Sequence, residues 1–195
     1  VSDWSSDVCS SDLVAPRRTR LSRPDPARPA QERVVVANVD TVVIVVSVGS
    51  PPLHPRIIDR FLIAVQRGGA RPVLCVNKID QATSEADLAP LAPYRTAGVP
   101  ILYCSTWESV GIEALRQELK GQLAAFVGHS GVGKSSLLNA LRPDLGLEVG
   151  DLMRNWRRGA HTTTQAHLWD VGDGTLVIDT PGIREFGLWS VSAEE

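Results

Sequence analysis

Residues 128–135 read Gly-His-Ser-Gly-Val-Gly-Lys-Ser, which fits the pattern G-x-x-x-x-G-K-[ST] of a phosphate-binding loop. An apolar run over residues 124–127 precedes the loop, and an amphipathic stretch over residues 134–141 follows it. This order predicts a strand, the loop and then a helix, whose positive end would face a bound phosphate. The segment therefore predicts a fold of alternating strands and helices that binds a nucleoside triphosphate with Mg²⁺.

The residue types of the loop match the chemistry of phosphate binding. Glycines let the backbone turn its N–H groups inward around a phosphate, and Lys134 can reach the β- and γ-phosphates. The Ser135 hydroxyl is the expected Mg²⁺ ligand, and Lys134 is also a candidate catalytic residue. The side chain of His129 is expected to point away from the phosphates. The predicted nucleotide-binding residues of this segment are Gly128, His129, Ser130, Gly131, Val132, Gly133, Lys134, Ser135 and Ser136.

A second motif, Asn77-Lys78-Ile79-Asp80, follows an apolar run and indicates a guanine site. The Asp80 carboxylate can accept hydrogen bonds from N1–H and the 2-amino group of guanine. Adenine offers neither donor and would leave the carboxylate unpaired, which costs orders of magnitude in affinity. Asn77 is expected to hold the base edge and brace the phosphate loop, with the Lys78 stem across the ring. Ser105 is predicted to lie where a backbone N–H contacts guanine O6.

The segment Asp179-Thr-Pro-Gly182 has the composition of a switch that senses the γ-phosphate. The Asp179 carboxylate can hold a Mg²⁺-bound water, and the Gly182 N–H can meet the γ-phosphate as a catalytic contact. Upstream, Thr163 is the favoured second hydroxyl ligand of Mg²⁺, with Thr162 and Thr164 as alternatives.

The group that orients the attacking water is less obvious. Ile183 occupies the position at which Ras-like enzymes carry a glutamine, and an alkyl chain cannot orient water. His161, beside the threonines, is the best internal candidate for a catalytic residue that positions water. The alternative is a histidine that faces solvent on a loop. Unaided hydrolysis is therefore expected to be slow, roughly 10⁻⁴ s⁻¹.

Hydrophobic periodicity predicts the rest of the α/β fold. The whole apolar stretch 34–49 is read as buried strand. Strands are predicted at 41–48, 72–76, 100–104 and 124–127, helices at 55–66, 84–91, 112–123 and 134–141, and a hairpin at 167–170 and 175–178. Strands that alternate with helices predict a three-layer P-loop NTPase fold with a mostly parallel sheet.

Composition excludes several classes of protein. Of 195 residues, 43% are hydrophobic and 22% are charged, with a net charge of −2, which argues against a disordered chain and against nucleic-acid binding by charge alone. Cys9, Cys75 and Cys104 form no Cys-x-x-Cys pair, so a reducing, cytoplasmic location is expected. The apolar stretch 34–49 is too short and too polar to span a bilayer, and no membrane partner is expected.

The order of the motifs is unusual. In an ordinary GTPase the phosphate loop comes first and N-K-x-D comes last, whereas here residues 77–80 precede residues 128–135 and 179–182. This order predicts a circular permutation, which folds tolerate because domain termini tend to lie close together at the surface.

Several motifs in this order resemble the bacterial ribosome small-subunit-dependent GTPase A family (RsgA, also called YjeQ). They are Asn38-Val-Asp40 and the segments 50–62, 76–80, 128–136, 161–164 and 179–188. The resemblance implies a Mg²⁺-dependent GTPase that acts late in assembly of the small (30S) ribosomal subunit. It also implies the subunit and its rRNA as partners, GTP as substrate and GDP as product. We expect a monomer.

The resemblance also implies modules that this chain is expected to lack. The family has an N-terminal OB-type barrel and a C-terminal zinc domain, and because no cysteine follows Cys104, we expect no zinc ligands in this sequence. Residues 1–33 are predicted as a disordered or non-native basic head, 34–190 as the permuted GTPase domain and 191–195 as a truncated tail. The alternative function is a nucleotide-gated module that binds GTP and GDP with negligible turnover.

Within the head, residues 14–33 carry six arginines and four prolines. We expect an extended tail, because proline disfavours helices and sheet interiors. The tail would act as a solvated linker or as a contact to a phosphate backbone.

Overall fold

The computed structural model describes residues 15–25, 28, 30–147 and 167–179. The strands are β1 (Arg20–Pro24), β2 (Glu32–Ala37), β3 (Thr41–Ser47), β4 (Arg71–Asn77), β5 (Ile101–Tyr103), β6 (Leu123–Val127), β7 (His167–Gly172) and β8 (Thr175–Asp179). The α-helices are α1 (Pro55–Arg67), α2 (Ala92–Thr96), α3 (Ile112–Leu119) and α4 (Lys134–Leu141). Short 3₁₀ helices span Ile79–Gln81, Glu85–Leu91 and Pro143–Leu145. Over these ranges, no helix has both the length and the apolarity needed to cross a membrane.

Six strands form one sheet in the order β5-β4-β3-β6-β8-β7. The pairs β5–β4, β4–β3, β3–β6 and β6–β8 are parallel, and only the β7–β8 hairpin at one edge is antiparallel. The predicted mostly parallel α/β sheet is therefore confirmed. Every residue of β3 is buried, because strand neighbours cover both of its edges and helices cover both of its faces.

Alternate side chains of β3 pack into two separate cores. Val42, Ile44 and Val46 pack in the same core as the buried face of α1. Val43 and Val45 lie in the opposite core, with the buried leucines of α3 and α4. The sheet thus lies between two helical layers, as predicted, and the carboxyl ends of its parallel strands meet at one edge, where ligands of such sheets bind.

The N-terminal segment differs from the expected tail. Residues 20–24 form β1, which pairs antiparallel with β2, and the Leu21 side chain is 1% exposed in the α1 core. Leu21 is the one buried residue of β1, and the arginine-rich composition around it gave no sign of this burial. Pro24 is tolerated because it is the last residue of its strand. The predicted domain boundary at residue 34 therefore falls inside β2.

We expect Leu21→Ala to lower the free energy of unfolding by about 2 kcal/mol, because it leaves a cavity under β1. Ile63→Ala is the control, since Ile63 lies on α1 but is 36% exposed. Urea denaturation measures both variants. Equal small losses would mean that β1 contributes little to the folded domain.

Three further element predictions needed correction. The apolar stretch 34–49 is not one strand: β2 and β3 belong to different sheets, separated by a turn in which Asn38 has a φ of 61°. Helix α3 ends at Leu119 rather than 123, before Gly121 with a φ of 71°. Residues 84–91 form a 3₁₀ helix rather than an α-helix, and Pro90 lies within it.

Candidate guanine-nucleotide site

Asn77 ends β4 and joins the two predicted motifs. Its side chain is fully buried, and its Nδ2 donates a hydrogen bond of 2.9 Å to the carbonyl oxygen of Val132 in the phosphate loop. Its Oδ1 is also buried and accepts no hydrogen bond from the described residues. The structure thus places Asn77 as a brace between the segment 77–80 and the loop, and it leaves a buried acceptor that a ligand could satisfy.

Lys78 and Ile79 hold the same region together. Lys78 has a φ of 60°, and its Nζ donates to the carbonyl oxygen of Gly131 at 2.7 Å and to that of Ser50. The Ile79 N–H donates to the Cys104 carbonyl oxygen at 3.1 Å, which ties the motif to the end of β5. Sequence reasoning missed the part played by Ser50. The only signal was the turn composition Gly-Ser-Pro-Pro over residues 49–52.

The structure brings Asp80 and Ser105, the two residues predicted to contact guanine, into direct contact. The Ser105 hydroxyl donates to Asp80 Oδ1 at 2.6 Å. The Ser105 N–H donates to the Val110 carbonyl oxygen at 3.0 Å, so it is already used and does not fit the O6 contact expected at this position. Asp80 itself is exposed, so its second carboxylate oxygen can reach a ligand.

The phosphate loop follows β6 and leads into α4, as the motif predicts. Gly128, Gly131 and Gly133 have φ values of 145°, 84° and 95°, which side chains disfavour. A Cβ on Gly133 would lie 2.3 Å from Asn77 Nδ2, so the brace requires glycine at this position.

Gly128 is the tightest of these positions, because an added Cβ would lie 2.2 Å from the backbone oxygen of Val45 on β3. We expect Gly128→Ala to lower the free energy of unfolding by about 2–3 kcal/mol. Gly121→Ala is the matched control, since Gly121 also has a positive φ, 71°, but nothing lies within 4 Å of its added Cβ. Thermal unfolding compares the two. Equal losses would assign the effect to backbone strain alone.

Lys134 is the first residue of α4, and its ammonium group lies over the loop. Its Nζ donates to the carbonyl oxygens of Gly128 at 2.8 Å and His129 at 3.0 Å. The cation therefore already lies at the concave side of the loop, where it can compensate a phosphate charge. Ser135 and Ser136 follow on the same helix and are half-buried.

Asp179 is the last residue of β8 and pairs in register with Phe126 of β6, which leads into the loop. Burial raises the pKa of the Asp179 carboxyl, and the charges of Lys134 and His167 only partly oppose that effect. A desolvated carboxylate beside a phosphate loop would be stabilised by a bound cation. The carboxylate oxygens of Asp179 are of the ligand type that Mg²⁺ prefers.

The remaining predicted residues divide into two groups. In the loop, His129 is exposed and its Nδ1 lies 3.0 Å from the Ser130 carbonyl oxygen, a contact within the loop itself. The others lie outside the described residues: they are His161, Thr162, Thr163, Thr164, Gly182 and Ile183. Their assigned roles stay predictions.

Comparisons with known proteins agree with this geometry. The family model described as RsgA GTPase matches residues 14–189. A curated relative from Pseudomonas putida strain F1, "Small ribosomal subunit biogenesis GTPase RsgA", is 46% identical over 183 residues, which cover 92% of this chain and 52% of the relative. The relative of the same name from Pseudomonas aeruginosa strain LESB58 is 44% identical over 183 residues, covering 92% and 53%.

Two solved structures share the fold. "Crystal structure of YjeQ from Thermotoga maritima" matches with a TM-score of 0.65 and 36% identity over 87% of this chain and 53% of that one. "The crystal structure of YloQ, a circularly permuted GTPase" matches with a TM-score of 0.62 and 27% identity, covering 88% and 51%. The chain spans about half the length of the relatives that it matches.

The predicted resemblance is thus confirmed by a family match over most of the chain, and the permuted P-loop fold by two solved structures. The order of the motifs in the sequence agrees with the family match and with the solved structures. The hydrogen bond that joins residues 77–80 to the phosphate loop agrees with them too. The chain belongs to the RsgA GTPase family.

Proposed function

We propose that this chain binds GTP with Mg²⁺ and hydrolyses it to GDP and phosphate. We also propose that it does so, as part of a longer cytoplasmic protein, in maturation of the small ribosomal subunit and its rRNA. The observation that carries the first proposal is the Asn77–Val132 hydrogen bond of 2.9 Å, which joins the guanine motif to the phosphate loop. The name of the relatives, a small ribosomal subunit biogenesis GTPase, supports the second.

In this proposal each motif contacts a different part of the nucleotide. The loop N–H groups and the Lys134 ammonium bind the β- and γ-phosphates. The free oxygen of the Asp80 carboxylate accepts from the guanine base. Because the Ser105 N–H donates to Val110, we assign the O6 contact to the next N–H along the turn, that of Thr106. It donates no hydrogen bond within the described part of the chain.

Hydrolysis requires water to attack the γ-phosphorus while the bond to the β–γ bridging oxygen breaks. We propose that His161 orients the water and that the Gly182 N–H contacts the γ-phosphate. Mg²⁺, when bound, supplies charge stabilisation at the β- and γ-phosphate oxygens. Ser135, Thr163 and the half-buried Asp179 would be its protein contacts, with Asp179 acting through a bound water.

The Mg²⁺ assignment predicts a specific behaviour for Ser135→Ala. In excess Mg²⁺ this variant should bind GDP about tenfold more weakly than the wild type, because one metal contact is lost. In EDTA the two proteins should bind GDP equally. Calorimetric titration in both buffers measures the difference, and equal losses in both buffers would rule out Ser135 as a metal ligand.

Release of phosphate from labelled GTP, with and without purified small ribosomal subunits, tests the activity. We expect slow release by the chain alone, roughly 10⁻⁴ s⁻¹, and faster release with subunits. The Lys134→Ala protein, prepared in parallel, measures contaminating GTPases. Tight GDP binding with no release under either condition would favour the nucleotide-gated module instead.

A further inference from the structure

Trp107 is the most exposed large apolar side chain in the described part of the chain, with 89% of its surface open to solvent. Tryptophan is usually well buried, because its indole carries the largest apolar surface of any residue. The next most exposed, Leu168, is 58% exposed and is far smaller. Within the described residues nothing covers this indole, so it is open to contact with a ligand.

The turn that carries Trp107 is firmly closed. Ser105 and Val110 exchange two backbone hydrogen bonds of 3.0 Å each, and the Glu108 N–H donates to the Ser105 hydroxyl oxygen at 3.1 Å. The indole therefore projects from a fixed turn rather than from a loose loop. Because the backbone of the turn is already fixed, binding would have to order only the two side-chain torsions of Trp107.

The base of the turn lies at the proposed guanine site. The Ser105 hydroxyl donates to Asp80 at 2.6 Å, so the turn starts at the carboxylate proposed to read the base. Trp107 is two residues further along the chain, so its Cα lies within about 7 Å of the Ser105 Cα. This separation lets an indole at position 107 extend to a base paired with Asp80. The Lys78 ammonium is bound to Gly131 and Ser50, which holds the Lys78 stem on the phosphate-loop side of the motif.

We propose that the Trp107 indole stacks on the base of the bound guanine nucleotide, on the face opposite the Lys78 stem. This inference rests on the proposed nucleotide binding and adds a binding residue to that site. Stacking needs only a flat π-face, so Trp107 would contribute affinity for any purine, whereas Asp80 would discriminate between purines. The two contributions can therefore be separated by experiment.

Calorimetric titration of GDP and of inosine diphosphate, which lacks the 2-amino group, tests the proposal. Trp107→Ala should weaken both nucleotides by the same factor, about five- to a hundredfold, the range expected for loss of one base–aromatic stack. Trp107→Phe should recover most of the affinity. Quenching of indole fluorescence by GDP should be reduced in Trp107→Phe.

Leu168→Ala is the control for removal of an exposed apolar side chain, since Leu168 lies on β7. It should leave GDP affinity unchanged. Equal GDP affinity in Trp107→Ala and in the wild type would overturn the stacking proposal while nucleotide binding stands. If the wild type binds neither nucleotide, the proposed function fails, and the stacking proposal fails with it.

Discussion

Lys134→Ala should weaken binding of GDP and GTP about a thousandfold, because it leaves phosphate charge uncompensated inside the loop. The Lys134 ammonium already donates to the Gly128 and His129 carbonyl oxygens at 2.8 and 3.0 Å. Its position is therefore set before a nucleotide arrives, and alanine cannot replace it.

Competition against a fluorescent GDP analogue measures the loss. The control is Lys120→Ala, which removes a lysine just after α3 where the side chain is exposed. That variant should bind GDP like the wild type. A loss smaller than about fivefold in Lys134→Ala would contradict the assigned phosphate contact.

Asp80→Asn should exchange the base preference of the site from guanine to xanthine. An asparagine amide can donate to the C2 carbonyl of xanthine but repels the 2-amino group of guanine. We expect GTP affinity to fall about a hundredfold or more and xanthosine triphosphate affinity to rise. The introduced amide retains an oxygen that can accept from the Ser105 hydroxyl, which lies 2.6 Å from Oδ1 of Asp80, so the turn should stay in place.

Titration of both triphosphates against both proteins measures this exchange. Asp173→Asn is the matched control, because Asp173 is exposed at the turn between β7 and β8. It should keep the preference for GTP. An unchanged preference in Asp80→Asn would show that another group reads the base.

Local patterns predicted the phosphate loop and its flanking elements. The bounds of α4, Lys134–Leu141, agree with the prediction, because the motif and the helical period lie within a few residues of each other. Strand β3 was equally visible as a nearly continuous apolar run. Such features depend on neighbours along the chain, which the sequence displays directly.

Features set by distant partners were not predictable in the same way. β1 owes its structure to pairing with β2 and to burial of Leu21, and neither pairing nor burial can be read from an arginine- and proline-rich segment. The Ser105 N–H donates to the Val110 carbonyl oxygen, and this hydrogen bond forms only when the chain turns back at Val110. Likewise, the raised pKa of Asp179 reflects burial by the whole fold.

The central position of β3 has a consequence for synthesis of the chain on the ribosome. β3 pairs with β4 on one edge, but its partner on the other edge, β6, lies about 80 residues later in sequence. During translation β3, β4 and β5 can pair first, while one edge of the mostly apolar strand β3 stays open. Such an edge invites pairing with other chains until β6 emerges. The long separation of β3 and β6 in sequence therefore exposes the nascent chain to aggregation for the time needed to translate those residues.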